Sequence, residues 1–420
     1  TDGQADAARA ALRSPLMVIT GGPGTGKTTI AAKLLALLLE QQPTLRIALA
    51  APTGRAAARL GESMSAAVAR EALPGVVADR LPRAGVTLHR LLGYRPSDDQ
   101  FTFTPHHPLA DDVIVVDEAS MVDVLMMDAL LAAAKPDARL LVLGDPDQLA
   151  SVETGAVLGD IVRADAAPAS AIAGVVAPLT HSYRFGARPG IGAIARAAQQ
   201  GDADALMAAL TSGAFAELSY RARPERTSVL LAPLLTQIEQ YLASDTPADA
   251  LRALGTFRVL CALRDGEAGV DGLNGAIERW LRGRGRDTRG WYAHRPVLIT
   301  QNDPATELFN GDVGTTLRTQ GEPLVYFAGP RGVRAIAPSR LPAHETAWAM
   351  TVHKAQGSEF EHVVLVLPDA DSRLLTRELL YTGLTRAKET AAIVGSESLL
   401  RSAVRRSVAR SSGLVERLAR

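Results

Sequence analysis

The chain has 420 residues, more than one ordinary hydrophobic core accommodates, so its length points to two to four domains. Hydrophobic residues make up 47% of it, which excludes a disordered chain, and no apolar run reaches the roughly 18 residues of a membrane span. Lysine plus arginine (45) equal aspartate plus glutamate (45), so a nucleic-acid partner would have to be met by a local basic stripe and not by net charge.

The sequence starts at Thr1 in place of Met and carries no basic-plus-apolar leader, which suggests a trimmed start or a missing upstream domain. Its one cysteine, Cys261, cannot close an internal disulfide. In "FRVLCAL" it is expected to be a small buried hydrophobe, and a reducing, cytoplasmic setting is expected with it. Short apolar runs alternate with helical stretches, the pattern of α/β domains with mainly parallel sheets. In the first half the expected strands are "LMVIT" (Leu16–Thr20), "RIALAA" (Arg46–Ala51), "DVIVVD" (Asp112–Asp117) and "RLLVLG" (Arg139–Gly144). In the second half they are "SVLLAP" (Ser228–Pro233), "FRVLCAL" (Phe257–Leu263), "HVVLVLP" (His362–Pro368) and "AAIVGS" (Ala391–Ser396). Residues 93–108 suggest a small hairpin insertion. Residues 295–343, with short strands, Gly and Pro and no helical period, suggest a small β-barrel or sheet inserted in the second α/β domain. "RGRGRDTRG" (Arg282–Gly290) is expected to be a flexible basic loop.

Gln4, just upstream of the first strand, could read an adenine edge with its amide; an exposed helix residue is the competing reading. After the first strand, "ITGGPGTGKTTI" fits G-x-x-x-x-G-K-[ST] and opens a helix, the context the motif requires. Gly21, Gly22, Pro23, Gly24, Thr25, Gly26, Lys27, Thr28 and Thr29 are therefore expected to bind ATP. Backbone N–H groups and the helix N-terminus would face the phosphates. Lys27 would reach the β- and γ-phosphates, and the Thr28 hydroxyl would ligate Mg²⁺. "DVIVVDEAS" adds Asp117, to hold Mg²⁺ directly or through water, and Glu118, to polarise the attacking water.

"LLVLGDPDQLASVETG" ends a core strand on Gly-Asp-Pro-Asp-Gln. In an open parallel sheet, ligands lie outside the carboxyl ends of the strands. Asp145 and Gln148 are thus carried to the γ-phosphate edge, where Gln148 would sense the γ-phosphate or the lytic water; a polar loop tip is the plainer alternative. Two arginines could stabilise the γ-phosphoryl charge, Arg184 in "LTHSYRFG" and Arg386 in "YTGLTRAKE". If both reach the nucleotide, ATP would close the two halves and hydrolysis would open them.

Pro52 and Thr53 end the second strand in "AAPTGRAAARL". Thr87 and His89 lie in "VTLHRLLG", and Thr351, His353, Lys354 and Gln356 in "AMTVHKAQGSEF". Neutral donors with a few cations suit phosphodiester contacts without sequence reading. Asn310, in "LFNGDVG", is either a phosphate contact or part of a plain β-turn. Tyr94, Phe309 and Trp348 are stacking candidates whose commoner role is packing. The tail "SLLRSAVRRSVARSSGLVERLAR" is a basic, partly amphipathic helix candidate, solvated or contacting a partner or DNA.

GGPGTGKT, APTGRAAARL, TLHRLLG, VVDEAS, GDPDQLASV, SYRF, TVHKAQGSEF and YTGLTRAK occur in the order of superfamily 1 helicase motifs. Together with "RVLCALRDGEAGVDGLN" and "PVLITQNDPATELFNGDVG", they resemble the RecD family, the α subunit of the bacterial RecBCD (exonuclease V) complex, over nearly the whole chain. The resemblance implies an α/β fold of two RecA-like P-loop domains. These would be 1–180 and 181–294 with 344–420, with an SH3-like β-barrel at 295–343. It implies a 5′→3′ ATP-driven motor on single-stranded DNA, acting at DNA ends in double-strand-break repair with RecB-like and RecC-like partners. By motif, Lys27, Thr28, Asp117, Glu118, Gln148, Arg184 and Arg386 are ATPase residues. Gln4 falls at the adenine contact, and Thr53, His89, Thr351 and His353 fall in DNA-contacting motifs. Family members usually carry an N-terminal docking domain, which this sequence does not show, and no nuclease cluster remains once the ATPase residues are assigned; the nuclease is expected on the RecB-like partner. The alternatives are a free-standing RecD-like helicase, an ATP-regulated scaffold and a small-molecule kinase. The intact ATPase set argues against the scaffold, and a second RecA-like half argues against the kinase.

Overall fold

Alternation of apolar runs with amphipathic helices produces two parallel sheets and one antiparallel sheet in a computed structural model. It describes residues 14–70, 75–151, 155–167, 170–186, 188–222, 226–303, 305–319, 321–329, 332–408 and 413–418. The chain divides into two compact units, 1–184 with 409–420, and 185–408.

In the first unit, β1 (Leu16–Gly21) leads through a glycine-rich turn to α1 (Lys27–Gln41). Then come β2 (Ile47–Ala51), α2 (Gly54–Arg70), β3 (Val86–Thr87) and the small antiparallel pair β4 (Tyr94–Arg95) and β5 (Gln100–Phe101). β6 (Val113–Val116), α3 (Val124–Ala133), β7 (Arg139–Gly144), α4 (Val157–Asp165) and β8 (Val176–Leu179) follow. The six strands other than the pair form a parallel sheet in the order β3-β2-β6-β7-β1-β8. β6 is buried along its whole length, as a parallel sheet covered on both faces requires. β8 was not evident in the sequence. Its run "VAPL" contains Pro178, which cannot donate to a ladder and is tolerated because β8 is an edge strand.

In the second unit, α5 (Pro189–Gln200) and α6 (Ala203–Thr211) precede β9 (Leu218–Arg221). α7 (Leu235–Leu242) and α8 (Pro247–Leu254) lead to β10 (Phe257–Cys261) and α9 (Val270–Gly283). The expected strand over Ser228–Pro233 is instead a helix, Thr227–Leu231, followed by a 3₁₀ turn, Ala232–Leu234. The reason is the longer apolar stripe. Leu230, Leu231, Leu234, Ile238 and Tyr241 are all buried at helical spacing, a period that the short run "SVLL" cannot reveal by itself.

An antiparallel five-stranded sheet is inserted after α9. β11 (Pro296–Ile299), β12 (Val313–Thr319), β13 (Glu322–Gly329), β14 (Gly332–Ile336) and β15 (His344–Thr346) lie in the order β14-β13-β12-β11-β15. The expected limit at residue 343 therefore falls short, because β15 pairs with β11 out to Thr346. The insertion has its own core of Val297, Ile299, Leu308, Val325 and Phe327. β16 (Ala349–Thr351), β17 (Phe360–Val366), α10 (Arg377–Leu384), β18 (Ala387–Val394) and α11 (Glu397–Arg405) complete the unit. The second parallel sheet runs β16-β10-β17-β18-β9.

Asn274 pins the exit of the insertion. Its Nδ2 donates to Thr346 O (2.9 Å), and its Oδ1 accepts from the Ala349 amide (2.9 Å). The buried Arg258 donates to Ala347 O (2.6 Å) and stacks over the Phe360 ring. Cys261 is buried, and burial pushes its thiol pKa up to about 12, so it is an inert core residue. The tail was expected to belong wholly to the second domain. Instead α12 (Leu414–Leu418) lies in the first unit, where Leu414 and Leu418 pack on the cluster containing Val157 and Ile161. No helix among the described residues is long and apolar enough to cross a membrane.

Candidate nucleotide site and nucleic-acid edge

Sheet order assembles the site. β7 lies between β6 and β1, so three consecutive carboxyl ends deliver Asp117 and Glu118, then Asp145 and Gln148, then the glycine turn. Neighbouring strands are ~4.8 Å apart, which sets all three ends within about 10 Å of one another.

The turn itself depends on glycine. Gly24 and Gly26 take φ of 75° and 86°, in the left-handed region that L side chains avoid. A Cβ on Gly24 would lie 2.3 Å from Arg184 Cβ. Thr25 Oγ1 donates to Gly22 O (2.9 Å), and Lys27 Nζ donates to Gly21 O (2.5 Å) and Gly22 O (3.2 Å), holding the ammonium over the loop. No side chain caps α1, and no acidic residue stands in its first turn. Its first N–H groups and its positive dipole end thus have no acidic side chain of the helix itself to offset them.

Opposite, Asp117 Oδ1 accepts the Glu118 amide (2.8 Å), and Glu118 takes φ 52°, a strained conformation for a glutamate. Burial, with the neighbouring Glu118 charge, pushes the Asp117 carboxyl up to about 6; Lys27 and Arg59 oppose that rise. A carboxylate under such pressure is one that a cation would favour. Gln148 is buried, and its Nε2 donates to Asp145 Oδ2 (3.1 Å). Its Oε1 is buried without a hydrogen-bond partner among the described residues, as is Ser120 Oγ. Orphaned buried acceptors are costly and call for an explanation, and a ligand at this edge supplies one. No trio of His, Cys, Asp or Glu side chains gathers for a metal ion among the described residues. The donors on offer are the Thr28 hydroxyl and the Asp117 carboxylate, hard oxygens of the kind Mg²⁺ takes together with phosphates.

The segment before Arg184 is bound to the glycine turn. Ser182 Oγ donates to Pro23 O (2.8 Å) and the Tyr183 amide donates to Gly24 O (3.0 Å). Sequence reasoning did not pick out this clasp, nor Arg59 and Ser120. Arg59 had a signal, since Arg55 and Arg59 stand one turn apart at the start of the helix that follows β2. Gln4 lies outside the described residues. Arg386 is in the second unit, buried, with Nε donating to Thr382 O (3.1 Å) and Nη1 to Ser358 O (3.2 Å).

The nucleic-acid candidates share one habit. Thr53, Thr87 and Thr351 each stand at or just past the end of a parallel strand and cap the turn that follows. Their Oγ1 atoms accept from the amides of Ala56, Arg90 and Lys354, each at 3.2 Å. A hydroxyl that accepts retains its O–H to donate outward. Pro52 and Thr53 follow β2, and Thr87 ends β3, the adjacent strand. His89 is exposed, edge-on to Tyr94 at 5.3 Å. His353 follows β16 and is half-buried. Nearby, Glu345 on β15 accepts from Lys354 (2.8 Å) and Arg264 (2.9 Å), tying the inserted sheet to this motif. Asn310 is exposed, and its amide donates to Asn302 Oδ1 (2.8 Å). Trp348 is 1% exposed with Nε1 donating to Tyr292 (2.9 Å), so it is a core residue, whereas Tyr94 and Phe309 are exposed.

Fold and site together define a P-loop, two-sheet ATPase of the helicase type. An AAA domain model matches residues 4–154, and a UvrD-like helicase C-terminal domain model matches residues 346–394. The chain is 44% identical to the RecBCD enzyme subunit RecD of Mycolicibacterium smegmatis, over 99% of this chain and 74% of that protein. It is 35% identical to the ATP-dependent RecD2 DNA helicase of Deinococcus radiodurans, over 96% of this chain and 50% of that one. The solved Pif1 helicase of Candida albicans superposes with a TM-score of 0.54 at 15% identity, over 99% of this chain and 98% of that one, a likeness of fold. The chain belongs to the RecD family of superfamily 1 DNA helicases, ATP-dependent enzymes of recombination and repair.

Proposed function

We propose that the chain is the motor subunit of a RecBCD-type complex, moving 5′→3′ on single-stranded DNA at DNA ends with RecB-like and RecC-like partners in the cytoplasm. The observation that carries the reading is β7 between β6 and β1, with Gln148 buried at the shared edge and its Oε1 unpartnered among the described residues. In this reading Gly21–Gly26 and the α1 N-terminus hold the ATP phosphates, and Lys27 leaves the loop carbonyls for the β- and γ-phosphates. Thr28 and Asp117 would hold Mg²⁺, which supplies charge neutralisation on the phosphate oxygens. Glu118 orients and deprotonates the attacking water, Gln148 senses the γ-phosphate, and Arg184 and Arg386 stabilise its developing charge. Gln4 is proposed to read adenine, with Thr29 completing the phosphate-binding turn. Pro52, Thr53, Thr87, His89, Asn310, Thr351 and His353 are proposed to contact the DNA backbone, and the inserted sheet to act as an SH3-like barrel beside it.

The test is ATP hydrolysis by the purified chain with and without a single-stranded oligonucleotide, repeated with Gln148→Ala. Stimulation by DNA is expected, with Gln148→Ala losing about 2–12-fold of it, the worth of one neutral hydrogen bond. Turnover of a folded chain that ignores DNA, alone and with RecB-like and RecC-like subunits added, would refute the motor reading. Full unwinding without those subunits would favour a free-standing helicase.

A further inference from the structure

Away from the nucleotide edge, the second unit holds a cavity of about 220 Å³. Leu242, Leu281 and Tyr292 line it, and Arg286, Arg289 and Arg318 stand around it. The three cations differ. Arg289 is paired with Asp287, through Nε at 2.9 Å and Nη2 at 3.2 Å. Among the described residues the Arg286 side chain donates to Leu242 O and the Arg318 side chain to Gly321 O, each at 3.1 Å, and neither closes a salt bridge. The rim thus carries three positive charges against one carboxylate, Asp287, which is bonded to Arg289 and within electrostatic reach of Arg318, leaving a positive excess over a floor of aliphatic and aromatic carbon.

Its position argues against the DNA track. α9 runs back from the carboxyl end of β10, so Leu281 near its C-terminus lies by the amino edge of the second sheet. Tyr292 is bonded to Trp348, which immediately precedes β16, at the same amino edge. Thr351 and His353 follow the opposite, carboxyl edge. The five residues of β10 separate the two edges by about 16 Å. A phosphodiester chain wants a continuous basic stripe with stacking platforms. A partly open pocket with an apolar floor and a rim of net positive charge fits one acidic side chain and its aliphatic neighbour.

We propose that this pocket receives an acidic segment of a partner polypeptide, with its carboxylate against Arg286 and Arg318 and an adjoining aliphatic side chain on Leu242, Leu281 and Tyr292. The proposal extends the subunit reading above, and its test does not depend on ATP turnover. The probe is a fluorescein-labelled peptide of alternating Glu and Leu, titrated with the full chain by polarisation. Unlabelled single-stranded oligonucleotide and inorganic phosphate serve as competitors. Binding is expected, with a loss of about tenfold or more in the double variant Arg286→Glu with Arg318→Glu. That variant should take up the matching Lys-Leu peptide and retain wild-type DNA-stimulated hydrolysis. If it does not fold, Arg286→Gln with Arg318→Gln serves, with loss of the Glu-Leu peptide as its readout. No peptide binding by the wild-type chain, or undiminished binding by a folded variant, overturns the proposal. Displacement of the peptide by the oligonucleotide, with parallel loss of oligonucleotide binding in the variant, overturns it in favour of a nucleic-acid surface.

Discussion

In the first unit the adjacent strands β6, β7 and β1 are followed by Asp117 and Glu118, by Asp145 and Gln148, and by the glycine turn before Lys27. In the second, the adjacent strands β16, β10 and β17 are followed by His353 and Lys354, by Arg264 and Asp265, and by Asp369, and both Lys354 and Arg264 are paired with Glu345 of the inserted sheet. Both sheets are parallel and both follow a central strand with a helix whose N-cap is glycine. The helices differ in their first turn. α1 has no acidic residue there, while α9 has Asp271, a carboxylate of its own where an anion would otherwise be drawn. One architecture thus serves twice, and what separates a nucleotide site from a supporting sheet is which charges stand at the helix start and strand ends.

The largest test of that contrast removes the cation. Lys27→Gln should lower ATP hydrolysis by about 10³-fold with an unchanged circular dichroism spectrum, because among the described residues its side-chain hydrogen bonds go to the loop carbonyls of Gly21 and Gly22. Normal turnover by the folded variant would sink the P-loop assignment. A second test converts the first unit into the second. Thr29→Asp places a carboxylate in the first turn of α1, as Asp271 stands in α9. Helix stability should rise by about 0.3–1 kcal/mol while ATP affinity falls about 10–10²-fold through like-charge repulsion. Thermal melting and nucleotide titration read the two signs separately. A variant that binds ATP unchanged would mean the phosphates do not face this helix end.

Much of the first unit was legible because its chemistry is written in contiguous motifs whose context is also local, as with the strand before Gly21 and the helix after Lys27. The central buried strands β1, β2, β6, β7, β10, β17 and β18 were equally plain, since runs of Val, Ile and Leu bounded by polar turns have few other readings. Edge strands were not. β8 carries a proline and β9 reads "LSYR", and only their neighbours make them strands. The helix at Thr227–Leu231 was missed because its stripe extends beyond the window that suggested a strand. The clasp of Ser182 and Tyr183 on the glycine turn joins residues far apart in sequence, as does the pair of Arg264 with Glu345, and no local pattern encodes such contacts.

The third test is pH. The Asp117 carboxyl is pushed up to about 6 by burial and by Glu118. Below that pH it is protonated and cannot serve a cation, so hydrolysis at subsaturating Mg²⁺ should fall about tenfold by pH 5. Saturating Mg²⁺ should move the acidic limb lower, since a bound cation favours the charged form. The stability sign is opposite to that of a salt-bridged aspartate. A folded value above the ordinary 3.8 means that the folded state takes up the proton first, so stability is greatest below that range and declines as pH climbs through about 6. Asp117→Asn should abolish that decline; a melting profile that keeps it would place the titration on another group.

The smallest expected effect falls in the second unit, where the contrast predicts support and not chemistry. Glu345 is 15% exposed and holds both Lys354, in the segment with Thr351 and His353, and Arg264, after β10. Arg264 is 55% exposed and would regain water if released, so the Glu345→Gln cost to stability should be modest, about 1 kcal/mol or less. The cost to function should appear as DNA binding. Lys354 caps against Thr351 Oγ1 through its amide, so loosening its side chain loosens the turn that aims that hydroxyl. The concentration of single-stranded DNA giving half-maximal stimulation should rise by up to about fivefold, the equivalent of 1 kcal/mol, with basal hydrolysis unchanged. Glu345→Asp, which retains the charge on a shorter arm, should recover part of it. If basal hydrolysis fell as far as DNA stimulation did, the second sheet would be taking a direct part in the chemistry, and the division of labour between the two sheets would be wrong.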